Sequence, residues 1–164
     1  MLSSLALAAA LTVRILPANA AASIVREAGA NRAVVVHYWA LWCPACVEEW
    51  PKLAPELKRF AAAGARVATV SLDPKARAAK DIPAALQRFG ADRFPAFLLD
   101  APEPDPVVEA IDKTWDGSLP ATFVYDAEGK RLASFFGAAD RGALRGAVAQ
   151  AMRRGRLTPP SAPH

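Results

Sequence analysis

The stretch Ala33-Val34-Val35-Val36-His37-Tyr38, followed by Trp39-Ala40-Leu41-Trp42 and Cys43-Pro44-Ala45-Cys46, decides the fold. Its first part is a β-branched run bounded by small residues, the pattern of a buried strand. The four residues after it read as a turn. A helix is then expected from about Cys43 to Ala63, because Val47, Trp50, Leu53, Leu57 and Phe60 recur every three or four residues. Pro51 should kink it, since proline removes a backbone donor and crowds the preceding turn. Gly64 ends it.

A strand running into a helix whose first turn carries Cys-x-x-Cys is suited to making and breaking one disulfide. The first helical turn has unpaired amides and a partial positive charge, which favour a thiolate at Cys43. Cys46 lies one turn later on the same face, within bridging distance. Cys43 is therefore the expected attacking thiol. Cys46, deeper, is the expected resolving thiol, which attacks the mixed disulfide. The chain has 2 cysteines and 2 histidines, His37 and His164. A stapled scaffold needs more cysteines, and a structural zinc site needs four ligands. A fragment of a metal site, or two inert thiols, are the readings that compete with redox chemistry.

Working outward, Ser23 to Ala30 reads as a short helix. Arg66 to Leu72 is a second strand, with a turn at Asp73-Pro74. Ile82 to Phe89 is a helix closed by Gly90. Phe94 to Leu99 is a short strand or extended segment, Ala101 to Pro106 a proline-rich loop, and Val107 to Lys113 either helix or strand. Ala121 to Tyr125 and Arg131 to Phe136 form a hairpin about Asp126-Ala127-Glu128-Gly129. Asp140 caps a last helix reaching about Met152. Helical crossovers give parallel strands and the hairpin an antiparallel pair. The fold class is α/β: a central mixed β-sheet with helices on both faces.

At 164 residues, 53% apolar and 22% charged, the chain suits one globular domain. The net charge of +4 comes with no basic stretch carrying interleaved aromatics, so nucleic acid is not an expected partner. Residues 1–20, MLSSLALAAALTVRILPANA, resemble a signal peptide. The apolar run Leu5 to Val13 is too short to span a bilayer, and Ala18-Asn19-Ala20 suits cleavage after Ala20. No basic residue precedes that run, and Arg14 stands directly after it. An apolar first helix of the mature domain and an uncleaved membrane anchor stay open. Export implies a periplasm, where disulfides persist. The domain is then expected over 21–153, with a disordered tail over 154–164.

The segment Trp39-Ala40-Leu41-Trp42-Cys43-Pro44-Ala45-Cys46, with Pro51 five residues on, resembles the active-site segment of the thioredoxin superfamily. Leu119-Pro120-Ala121-Thr122-Phe123-Val124-Tyr125-Asp126 is similar to its cis-proline strand. The resemblance runs from about Val34 to Met152 and implies a thioredoxin fold. It also implies a cis Leu119–Pro120 bond facing Cys43, with Leu119 offering its backbone to an extended substrate. The alternative for Pro120 is a trans proline opening an edge strand. Trp115-Asp116-Gly117, Val70-Ser71-Leu72-Asp73 and the long middle segment are similar to TlpA-like periplasmic proteins. So is Glu49, in a Cys-x-x-Cys-x-x-Glu pattern. Some members of that group use the glutamate near the thiols; otherwise Glu49 is a solvated helix residue.

Three features depart from the family pattern. Pro44 follows the first cysteine where the family has proline before the second, and residues between the cysteines tune the potential. His37 stands where the family often has a buried Asp or Asn. It is either a satisfied core residue or a base behind Cys46. The stretch Ser23 to Arg32 is too short for the N-terminal hairpin common in TlpA-like proteins. Trp42 and Trp115 either line the thiols against a substrate or pack in the core.

The expected function is an exported protein-disulfide reductase acting on client proteins and recharged by a membrane thiol-disulfide electron donor, the last clause resting on the resemblance. Oxidase or isomerase activity, a copper-carrying chaperone, and a binding module with inert thiols are the alternatives. No nicotinamide or flavin fingerprint is present, so no cofactor is expected and electrons come from another dithiol. A peroxidatic cysteine would follow a Pro- and Thr-bearing loop, which Cys43 does not. A monomer is expected.

Overall fold

The computed structural model describes residues 11–29, 31–101 and 105–157. Six strands form one sheet: β1 (Val13–Pro17), β2 (Val34–Trp39), β3 (Arg66–Ser71), β4 (Ala96–Asp100), β5 (Ala121–Tyr125) and β6 (Arg131–Phe136). Among the described residues, five α-helices accompany them, α1 (Ile24–Gly29), α2 (Pro44–Ala62), α3 (Asp81–Phe89), α4 (Asp105–Ile111) and α5 (Arg141–Leu157), with short 3-10 helices at Ala18–Ser23 and Lys75–Arg77. The strand order is β1-β4-β3-β2-β5-β6. β1, β4, β3 and β2 run parallel, while β5 and β6 join antiparallel.

β2 is central, and all six of its residues are buried. Alternate side chains therefore supply two cores. Val35 and Trp39 join Trp50, Leu53 and Leu57 of α2, Ile82 and Leu86 of α3, and Leu144 and Val148 of α5. Val34, Val36 and Tyr38 join Ile24 of α1, Val107 of α4, Trp115 and Phe123 on the other face. The expected mixed sheet, covered on both faces, is what the chain builds.

α2 stays unbroken through Pro51 and Pro55. Both prolines lie on the exposed side, where a carbonyl deprived of its donor can be hydrated. Two ties hold α5 in place. Arg145 donates to both carboxylate oxygens of the buried Glu56 of α2, at 2.8 and 2.6 Å. Asp140 caps the helix start by accepting from the Ala143 N–H at 2.8 Å.

Three regions differ from the sequence reading. Val107 to Lys113, open between helix and strand, is helical to Ile111 as the end of α4. α5 runs to Leu157, past the expected domain end at Arg153, and the rest of the expected tail lies outside the described residues. Val13–Pro17, which reads as part of a leader, is the edge strand β1, paired with β4 from Val13↔Ala96 to Pro17↔Asp100. Arg14 meets Glu27 of α1 at 2.5 Å and lies over the Phe97 ring. A cut after Ala20 would part this strand from the sheet. Among the described residues, no helix is long and apolar enough to cross a membrane.

Leu57 is fully buried between α2 and the sheet. Leu57→Ala is expected to cost about 3 kcal/mol, because removing core methyl groups leaves a cavity. Urea unfolding should give a lower midpoint with an unchanged slope.

Candidate active site

Cys43 is the N-cap of α2, with extended backbone (φ −99°, ψ 103°). Its sulfur accepts from the Cys46 N–H at 3.2 Å, and its carbonyl accepts from the Val47 N–H. Pro44 takes the first helical position, where its missing donor costs nothing. Cys43 and Cys46 are joined in a disulfide, with Cα atoms 5.3 Å apart. Cys43 is 6% exposed and Cys46 0%. The thiol nearer the helix start is thus the more accessible one, which is the arrangement expected if Cys43 attacks. Beside it Trp42 is 62% exposed, and Pro44 and Ala45 are exposed.

The Leu119–Pro120 peptide is cis. The next residue, Ala121, pairs with Tyr38 near the end of β2. The proline therefore sits at the end of the sheet from which the turn to Cys43 departs. The Pro120 carbonyl accepts from Gly137 N–H at 2.8 Å. Leu119 is half-buried and packs against both cores. Trp115 is core rather than contact surface. It is buried against Tyr38 and Phe123, with ring centroids 5.5 and 5.6 Å away, and its indole N–H donates to Ser118 O at 2.8 Å.

His37 of β2 and Glu49 of α2 come together between the sheet and the helix. His37 lies on the α2 side of β2, opposite Thr122 in the antiparallel register, with Nδ1 2.9 Å from the Thr122 hydroxyl. Its ring packs edge-on against Trp50, centroids 4.9 Å apart. Glu49 is 7% exposed, so it is not the solvated residue that the helix pattern allowed. One of its oxygens accepts from the Ala139 N–H at 2.9 Å. The other lies 3.9 Å from His37 Nε2, and neither of these two buried atoms has a hydrogen-bond partner among the described residues.

Burial lowers the His37 pKa to about 3, leaving the imidazole neutral near pH 7. Burial also raises the Glu49 carboxyl, partly opposed by the bond from Ala139. Burial thus works against the charged form of both groups. An open cleft lined by Ala45, Glu48, Glu49, Lys52, Ala139 and Arg141 connects Glu49 with the surface. Among the described residues, no three His, Cys, Asp or Glu side chains are grouped to hold a metal ion.

Two participants escape a reading of the sequence. The Ala139 amide carries no signal in its side chain. Asp73 reads as a turn residue closing a TlpA-like segment, with no sign of a role at the site, yet it is buried and bonded to the turn before Cys43.

Residues 15–131 match the AhpC/TSA family. The chain belongs to that family. Its thioredoxin-superfamily character, read from the active-site segment and the cis-proline strand, and its TlpA-like character, read from Trp115-Asp116-Gly117, Val70-Ser71-Leu72-Asp73, the long middle segment and Glu49, both stand. The chain is 30% identical to a thio-disulfide isomerase from Thermus thermophilus of known structure, with a TM-score of 0.56, covering 72% of this chain and 78% of that one. A secreted disulfide oxidoreductase of Mycobacterium tuberculosis shares the fold at 20% identity and a TM-score of 0.53, over 74% of this chain and 83% of that one. Thiol-disulfide oxidoreductase ResA of Bacillus subtilis is 28% identical over 100 residues, which are 61% of this chain. The chain spans 50% of that relative's length.

The buried neutral His37 sets a pH dependence. Its folded pKa lies below its unfolded value of 6.5, so the unfolded chain binds the extra proton and stability falls as pH drops from 6.5 toward 3. Between pH 6.5 and 5 this contributes a loss of about 2 kcal/mol, at about 1.4 kcal/mol per unit. Urea unfolding of the chain and of His37→Asn over that range should show a shallower pH slope in the variant.

Proposed function

We propose that the protein is an exported thiol-disulfide oxidoreductase that reduces disulfides in client proteins. The observation carrying this reading is the Cys43–Cys46 disulfide at the start of α2, with the attacking sulfur at the helix N-cap and the resolving sulfur beneath it. In the dithiol form, the Cys43 thiolate attacks one sulfur of a client disulfide. That bond breaks, one client thiolate leaves, and a mixed disulfide forms. Cys46 loses its proton and attacks the Cys43 sulfur. The client leaves as a dithiol with two electrons gained, and the Cys43–Cys46 bond closes.

Glu49, one turn from Cys46 on the same helix, suits the proton transfer. Burial raises its pKa toward that of a thiol, and the cleft gives the proton a way out. His37 acts with it as a neutral polar partner, since its own lowered pKa makes it a weak base. Trp42, Pro44 and Leu119 form the surface where an extended client segment docks, the buried cis Pro120 sets the course of the chain there, and Trp115 supports that loop from within.

Returning to the dithiol needs a second dithiol as electron source, which the resemblance puts in a membrane protein. Export is supported by the apolar, leader-like start of the chain ahead of β1.

The reduction potential, followed by thiol state across a dithiothreitol redox series, tests the direction. A value near or below ~−270 mV supports a reductase, whereas a value near ~−120 mV makes the protein an oxidase or isomerase. Cys43→Ser is expected to abolish reduction of a disulfide client, and Cys46→Ser to trap the mixed disulfide on a non-reducing gel. Glu49→Gln should slow release of the client, with a flattened pH–rate profile and little change in formation of the mixed disulfide.

A further inference from the structure

The dithiol chemistry above uses Cys46, Glu49 and His37 on one side of the site, and leaves a buried carboxylate on the other side without a role. Asp73, just after β3, is 3% exposed. Its two oxygens accept from the Leu41 N–H, at 3.1 Å and 2.9 Å. The Ser71 hydroxyl donates to the second oxygen at 2.8 Å and accepts from the Asp73 N–H at 3.0 Å. Backbone bonds fasten the same corner, from Leu72 N–H to Trp39 O and from Cys43 N–H to Ala40 O. Among the described residues, no Lys or Arg pairs with Asp73. A buried carboxylate with no cation is costly, and the hydrogen bonds from one hydroxyl and one amide are what offset that cost.

Leu41 precedes Cys43 by two residues, so chain geometry holds their Cα atoms within about 7.6 Å. The amides and positive end of α2 favour a thiolate at Cys43. A negative carboxylate fixed beside the same turn acts the other way, because a like charge disfavours the ionised form. A less stable thiolate means a less stable dithiol relative to the disulfide, and hence a stronger reductant.

We propose that Asp73 is a positioning residue for the redox site. It locks the Trp39–Cys43 turn through Leu41 and Ser71, and its charge holds the Cys43–Cys46 pair toward the reducing end. The inference rests on the dithiol-exchange reading and deepens it, since it names a residue that sets the direction of electron flow.

The test uses the full chain and Asp73→Asn, which keeps the shape of the side chain and removes its charge. The equilibrium of the thiol pair with glutathione is expected to shift about threefold or more toward the dithiol, about 14 mV or more for this two-electron couple. The Cys43 thiolate, followed by its ultraviolet absorbance, should appear at lower pH in the variant. A cooperatively unfolding variant with unchanged glutathione equilibrium and unchanged Cys43 titration overturns the proposal, as does a shift toward the disulfide. A second measurement needs no variant. In the reduced, unaltered chain, the Asp73 carboxyl carbon resonance should move as Cys43 titrates, and a resonance that stays still through that titration also overturns it. Failure of the unaltered chain to form a reversible disulfide with glutathione would instead defeat the dithiol-exchange reading itself.

Discussion

The hydrogen-bonded pairing of β2 with β3 on one side and β5 on the other is the constraint on which the site depends. β3 runs parallel to β2 and β5 antiparallel. The end of β2, the end of β3 and the start of β5 are thereby brought to one edge of the sheet. From those three points leave the turn to Cys43, the corner at Asp73 and the cis Leu119–Pro120 bond. None of these is local to another in sequence, and strand register alone assembles them. The same register puts Thr69, His37 and Thr122 in one row across three strands. That row is the polar floor under a helix that otherwise buries apolar side chains.

The polar groups of this floor are sparsely satisfied. His37 Nε2, one Glu49 oxygen and the Thr69 hydroxyl are all buried without hydrogen-bond partners among the described residues. Buried polar groups usually carry at least one hydrogen bond, and exceptions collect where protons move. The core here gives up some stability to hold two titratable groups away from water, on the helix that carries the thiol pair and on the strand beneath it. Glu56, on the same helix two turns on, shows the contrast. Arg145 bonds it twice and holds its carboxyl below the usual range, so it serves to clamp α5.

Much of this is legible in the chain. The β-branched run into Cys-x-x-Cys marks β2 and α2, because a fully buried strand and a one-sided helix leave different periodicities. Leu119-Pro120 is readable as cis only through its likeness to a known strand, since spacing says nothing about the isomer. β1 reads as a leader because a five-residue edge strand beside alanines has the same composition as one, and its pairing with β4 is invisible locally. Trp115 cannot be placed from sequence, because a tryptophan before a loop suits core and surface alike. Asp73 is hidden by Pro74, since Asp-Pro is an ordinary turn signal and its long-range bond to Leu41 leaves no local mark.

The edge position of β1 has a consequence for synthesis. Its partner, β4, lies about 80 residues later in the chain. At about 5–20 residues per second, the ribosome needs several seconds to deliver that partner after β1 has been made. Throughout that interval the first strand has no template to pair with. This segment thus stays unpaired while the middle of the chain is still being translated, which is the state in which a nascent segment is available to a targeting factor or a translocation pore. Of the six described strands, the earliest to be made is the one that waits longest for its neighbour.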